Sequence, residues 1–74
     1  MANNELLKQR IKDSGYTIVR LAHETGILRE TLYNRMNGRE NSKDYKASEI
    51  ESLTRVLKLT RDQVDEIFFP EMMN

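Results

Sequence analysis

The chain has no cysteine and no tryptophan, only one proline and three glycines, and no net charge. Without cysteine, neither a disulfide nor a thiolate metal site can staple the fold, so stability must come from packed apolar faces or from a partner subunit. No apolar run approaches the roughly 18 residues that a membrane span needs. The amino terminus, MANNELLKQR, lacks an apolar stretch of signal-peptide length. A soluble protein is expected, with no membrane partner, and the missing cysteine fits a reducing cytoplasm. At 74 residues there is room for one domain, residues 1–74. A domain of that size buries roughly 60% of the surface its unfolded chain exposes, which makes a homodimer an expectation. The starting methionine and the trailing PEMMN suggest a complete chain.

The balance of 12 basic and 12 acidic side chains argues on its face against a nucleic-acid ligand. Their distribution is less even. Residues 1–28 carry four basic and three acidic groups, residues 29–46 five and three, and residues 47–74 three and six. The middle is mildly basic and the end acidic, which permits a local cationic patch.

Gly15, Gly26, Gly38 and Pro70 are the strong breakers, and the three glycines leave room for helices of about ten residues between them. Asn4 can cap a first helix with Leu6, Leu7 and Ile11 along one side, ending at Ser14-Gly15. Thr17 can cap a second, with Ile18, Leu21 and Ala22 in a buried stripe that Gly26 stops. A third, Arg29 to about Asn37, is expected to turn Leu28, Leu32 and Met36 inward. The following segment is polar around Tyr45, which can fold back on the core and hold a loop. "SEIE" and "TRDQ" then place a hydroxyl at a cap, Ser48 or Thr60, with Glu51 or Gln63 three positions on, the reciprocal capping arrangement. The fourth helix is expected to bury Ile50, Leu53, Val56 and Leu57, and the fifth Val64, Ile67 and Phe68. Pro70 is expected to end regular structure, leaving a tail at 70–74. With no strand-like alternation, the fold class is all-α, five helices.

The solvent side of the third helix has an unusual composition. A surface helix chosen for solubility alone is rich in lysine and glutamate, whereas here Glu30, Tyr33, Asn34 and Asn37 lie opposite the apolar stripe, edged by Arg29 and Arg35. Asparagine can pair bidentately with adenine, arginine with guanine, and a carboxylate can accept from the cytosine amino group. Tyr33 can touch a phosphate or a thymine methyl. Arg29 and Arg35, with Arg39, Lys43 and Lys46 just beyond, can meet the phosphates that supply most nonspecific affinity. The plainer alternatives are that Tyr33 covers neighbouring apolar surface, that the arginines pair with helix carboxylates, and that Glu30 supports an arginine instead of touching a base.

Over about residues 4–69 the chain resembles the Cro/C1-type (XRE-like) helix-turn-helix regulators, and among them the short phage and prophage repressors of Gram-positive bacteria. The resemblance is carried by "YTIVRLAHETGILRETLYNRMNG" and "YKASEIESLTRVLKLTRDQVDEIFF": a Thr-led second helix, Ala22, Gly26-Ile27, Thr31-Leu32, an Asn-Gly ending, and two short capped helices. It implies a compact lambda-repressor-like DNA-binding domain with its helix-turn-helix at about 17–37 and its recognition helix, 29–37, in the major groove. Base-contact positions then fall on Arg29, Glu30, Tyr33 and Asn34. Phosphate contacts fall on Asn37, Thr17 and Thr31, beside the cations already named. The implied partner is double-stranded DNA, an operator with an inverted repeat bound by a homodimer, and the implied mechanism is steric blocking of polymerase. Two positions depart from the family: Ile18 stands where it usually places a phosphate-holding glutamine, and Leu28 where it usually places a serine or threonine cap.

His23, the only histidine, reads as a solvated residue, with no cysteine or carboxylate cluster at ligand spacing. No nucleophile, telling carboxylate pair or phosphate-cradling loop is recognisable, so no enzyme activity, cofactor, metal or small-molecule ligand is expected. Two adjacent phenylalanines cannot both point inward from one helix, which makes Phe69 the candidate dimer contact. Zero net charge, Ile18 and the acidic end favour a rival: a small phage-type protein-binding module, an antirepressor or antitoxin-like factor on the same scaffold.

Overall fold

In the computed structural model, which describes residues 2–39 and 44–72, side-chain caps set most helix starts. Helix α1 (Asn4–Asp13) is capped by Asn3, whose Oδ1 accepts from the Leu6 amide at 3.1 Å. The expected cap, Asn4, is instead the first helical residue. In α2 (Ile18–Thr25), Thr17 Oγ1 accepts from the Arg20 amide at 3.2 Å. The helix stops at Gly26, whose φ of 75° is left-handed backbone that a side chain adopts only at a cost. Helix α3 (Arg29–Met36) starts after Leu28 with no side-chain cap.

The expected start of the fourth helix is corrected. Helix α4 (Ala47–Leu57) begins one residue before Ser48, and it is Glu49, not Glu51, that reaches back to accept from the Lys46 amide, at 2.8 Å. It ends at Lys58, in a left-handed conformation with φ 53° that no glycine announces. Helix α5 (Arg61–Phe68) starts as expected, Thr60 and Gln63 each accepting from the other's amide, at 3.1 and 2.8 Å. Pro70 does not end regular structure, because Pro70–Met72 forms one 3-10 turn.

Among the described residues there are five α-helices and no strand. Helix α2 packs on α3 and α4, α1 on α3 and α5, and α4 on α5. Each α-helix sends one fully buried side chain into the shared core: Leu7, Leu21, Leu32, Leu53 and Ile67. Ile11, Ala22, Met36, Leu57 and Phe68 complete it, with Leu6, Ile18, Ile50, Val56 and Val64 partly buried against it. The Cα radius of gyration, 11.2 Å, equals what close packing gives a chain of this length, about 11 Å. No helix of the described residues is long and apolar enough to cross a membrane.

Leu28 departs from the expected inward stripe. It precedes the first turn of α3 and is 75% exposed, so only Leu32 and Met36 carry the inward apolar face. Tyr45 does fold back, its ring edge-on to Phe68 with centroids 5.2 Å apart.

Candidate nucleic-acid interface

Helix α3 is short and uncapped, so its position depends on what holds its inner side. Leu32 and Met36 bury there, and Arg35 lies beside them with 8% of its surface exposed. Its guanidinium forks onto Glu49 of α4, Nε to Oε1 at 2.7 Å and Nη2 to Oε2 at 3.2 Å. The expectation that Arg35 edges the outward face and meets a phosphate is therefore corrected: the side chain points inward and its fork is occupied. On a helical wheel Arg35 sits only about 60° from Leu32, on the core side.

Two more side chains tie α3 to its neighbours. Asn4 Nδ2 donates to the Arg35 carbonyl at 3.1 Å, and Tyr45 Oη donates to Asn4 Oδ1 at 2.8 Å. The starts of α1 and α4 and the end of α3 thus share one polar network. Its electrostatics follow from burial and pairing. Burial pushes the Glu49 carboxyl up, but the Arg35 fork and the Lys46 amide outweigh it and hold the carboxyl below its usual range. Hydrogen bonding to Glu49 raises Arg35 against burial, and burial together with the Glu49 charge raises the Tyr45 phenol. Charge-assisted bonds of this kind are stronger than neutral ones and fix orientation as well.

With the inner side so engaged, the outer side is left open. Arg29, Glu30 and Asn37 are exposed, Asn34 and Thr31 half-buried, and Tyr33 50% exposed. The guanidinium of Arg39 stacks 5.9 Å above the Tyr33 ring, which brings a cation to this face. Asn37 Nδ2 donates one bond back to the Tyr33 carbonyl, 2.7 Å, which closes the last turn. Thr17 is exposed and keeps its hydroxyl hydrogen while Oγ1 caps α2. Lys46 is exposed at the start of α4, and Lys43 lies outside the described residues.

A recess of about 660 Å³ runs between the α2–α3 turn and the first turns of α4; Leu28, Thr31, Lys46, Ser48 and Ser52 line it. It brings the expected phosphate candidates Thr31 and Lys46 together with two further hydroxyls, Ser48, which the sequence suggested as a helix cap, and Ser52. Phe69 stands apart from this surface, at the end of α5, 40% exposed while Phe68 is buried. No group of three or more His, Cys, Asp or Glu among the described residues could hold a metal ion.

Compared with protein-family models, curated proteins and solved structures, the chain matches none. The reading of this surface therefore rests on its own chemistry. That chemistry is a row of amide, phenol, carboxylate and guanidinium groups on one exposed helix, flanked on either side by hydroxyls and cations.

Proposed function

We propose that the protein is a sequence-specific DNA-binding transcriptional regulator, with α2, Gly26 and α3 acting as a helix-turn-helix in a lambda-repressor-like domain. The observation that carries this reading is the division of α3: Leu32, Met36 and the paired Arg35 hold it from within, while Arg29, Glu30, Tyr33, Asn34 and Asn37 face out. Arg29 and Asn34 have the donor geometry for guanine and adenine edges. The exposed Leu28 offers an apolar contact for a thymine methyl at the entry of the same helix. Thr17 and Arg39 on one flank, and Thr31, Lys46, Ser48 and Ser52 on the other, suit the phosphates on either side of a major groove. Arg35 drops out of the phosphate set, and Ile18 supplies no polar contact at the start of α2.

A two-fold dimer of such a domain presents its α3 helices about 34 Å apart, one turn of DNA, to an inverted repeat. Phe69 is the contact proposed for that dimer, and occupation of the operator blocks polymerase. The test is selection from random duplexes at low salt. An enriched site with two related half-sites is the expected result, and recovery of no enriched sequence overturns the reading.

A protein-binding module of antirepressor or antitoxin-like type is the second reading. It is favoured by the zero net charge and by two large apolar side chains, Leu28 and Tyr33, exposed on or beside the same helix. A salt titration separates the two, since counterion release makes DNA affinity fall steeply with salt.

A further inference from the structure

A second concavity lies on the other flank of α3, where α1 and the start of α2 meet it. This groove, of about 400 Å³, has Ile11 and Met36 at its base, both buried in the core, and Ile18 and the rings of Tyr16 and Tyr33 along it. Lys8 and Lys12, one turn apart on α1, stand at its rim. A guanidinium already lies over one face of each ring, Arg20 over Tyr16 at 5.5 Å and Arg39 over Tyr33 at 5.9 Å.

Among the described residues the groove's charge has one sign, and no aspartate or glutamate lines it. Lys8 pairs with the Glu5 carboxylate at 3.8 Å, but that carboxylate is almost fully exposed and neutralises little. Asp13, the acid at the other end of α1, is taken up by Gln9 and Arg10. Phosphate alone would leave the apolar base unused, and a hydrocarbon alone would leave the lysines unused. We propose that this groove is a binding site for a small aromatic carboxylate, its ring over Met36 between the two tyrosines and its carboxylate at Lys8 and Lys12. The volume falls within the range of ligand pockets, about 300–1,000 Å³, and holds a two-ring aromatic acid. The site goes beyond the proposed function and does not depend on it. If that function holds, a ligand against Tyr33 and Asn37 occupies the flank of the DNA-reading face.

The probe is naphthoate, followed by methyl and amide NMR on the full chain without DNA. Saturable shifts are expected at the methyls of Ile11, Ile18 and Met36, with a dissociation constant on the order of 1 mM, ordinary for a ligand of this size. Naphthalenemethanol, equal in shape and uncharged, should bind about fivefold more weakly, and K8E/K12E should weaken naphthoate by about fivefold to tenfold with the fold unchanged. Three outcomes each overturn the proposal: no saturable methyl shift up to about 10 mM naphthoate, equal affinity for the neutral analogue, or the same methyl shifts from inorganic phosphate alone.

Discussion

Helices α2 and α3 are both eight residues long and pack against each other, yet they are held in different ways. In α2 the instructions are local: a threonine caps it, a left-handed glycine stops it, and Leu21, Ala22 and Thr25 bury on one side, the Thr25 hydroxyl donating to the Leu21 carbonyl at 2.8 Å. In α3 no side chain caps the start, and a charged residue takes one of three buried positions. What fixes α3 comes from elsewhere: Glu49 of α4, Asn4 of α1, and Tyr45 behind Asn4. A helix fastened from its inner side by its neighbours can spend the rest of its sequence on something other than helix formation. The outward row from Arg29 to Asn37 is where that freedom lies.

The largest test of this contrast removes the fastening. Glu49→Ala leaves the Arg35 guanidinium buried and unpaired, which costs roughly 3–5 kcal/mol, a large share of the total stability of a chain this size. A fall in melting temperature on the order of 20 °C is expected. A loss under about 1 kcal/mol would mean that α3 holds itself, as α2 does. Replacing both partners, Arg35→Met with Glu49→Leu, should recover most of the loss, because apolar residues of similar volume substitute well for a buried pair.

The same pair has a pH signature. The Glu49 carboxyl is held below its ordinary value of 4.5, so the unfolded chain takes up the proton first as pH falls. Its contribution is complete above that ordinary value and fades as pH drops through the lower folded one. Denaturation midpoints measured from about pH 6 to pH 3 should therefore fall less steeply for Glu49→Gln than for the wild type, and parallel curves would show that the pair does not couple to folding.

How much can be read from the sequence divides along the same line. Thr17, Gly26 and the Thr60–Gln63 box are legible because each acts on amides within a few residues of itself. The inward Leu32 and Met36 follow from periodicity, and Tyr45 is the one aromatic in a polar segment. The Arg35–Glu49 pair spans 14 residues, and nothing in a helical wheel of α3 reveals a carboxylate arriving from α4. Ser48 in "SEIE" has the look of a cap because serine usually is one, yet Glu49 is already drawn to the Lys46 amide at the true start of the helix. Spacing alone turns Leu28 inward, but a residue before the first turn does not follow the helical period. The groove under Tyr16 and Tyr33 collects side chains from three elements, and for that reason the sequence carries no sign of it.

A smaller effect sharpens the comparison at the helix starts. Thr17→Ala should cost about 1 kcal/mol, because α2 then has no acceptor for its Arg20 amide. Leu28→Ser should do the reverse at α3. The backbone there is extended, φ −56° and ψ 137°, and the leucine side chain is mostly in water, so a hydroxyl can accept from the first-turn amides while little apolar burial is given up. A gain of about 0.5–1 kcal/mol in denaturant unfolding is expected. A loss would show that Leu28 packs on something the fold needs.

The smallest effect on stability is expected where the functional effect is most specific. Asn34 sits on the outward side of α3, and its side chain makes no hydrogen bond within the described residues, so Asn34→Ala should shift unfolding by no more than about 0.5 kcal/mol. On the proposed reading the same change removes a base-edge contact worth about 1–3 kcal/mol at one position of the site, and Arg29→Ala acts similarly at another. Lys46→Ala, which removes a phosphate contact, should instead weaken all sequences evenly and lower the salt slope by about 1. Selection profiles of the three variants can separate these roles. If Asn34→Ala and Lys46→Ala lower binding alike at every sequence, the outward face of α3 does not read bases, however firmly its inner face is held.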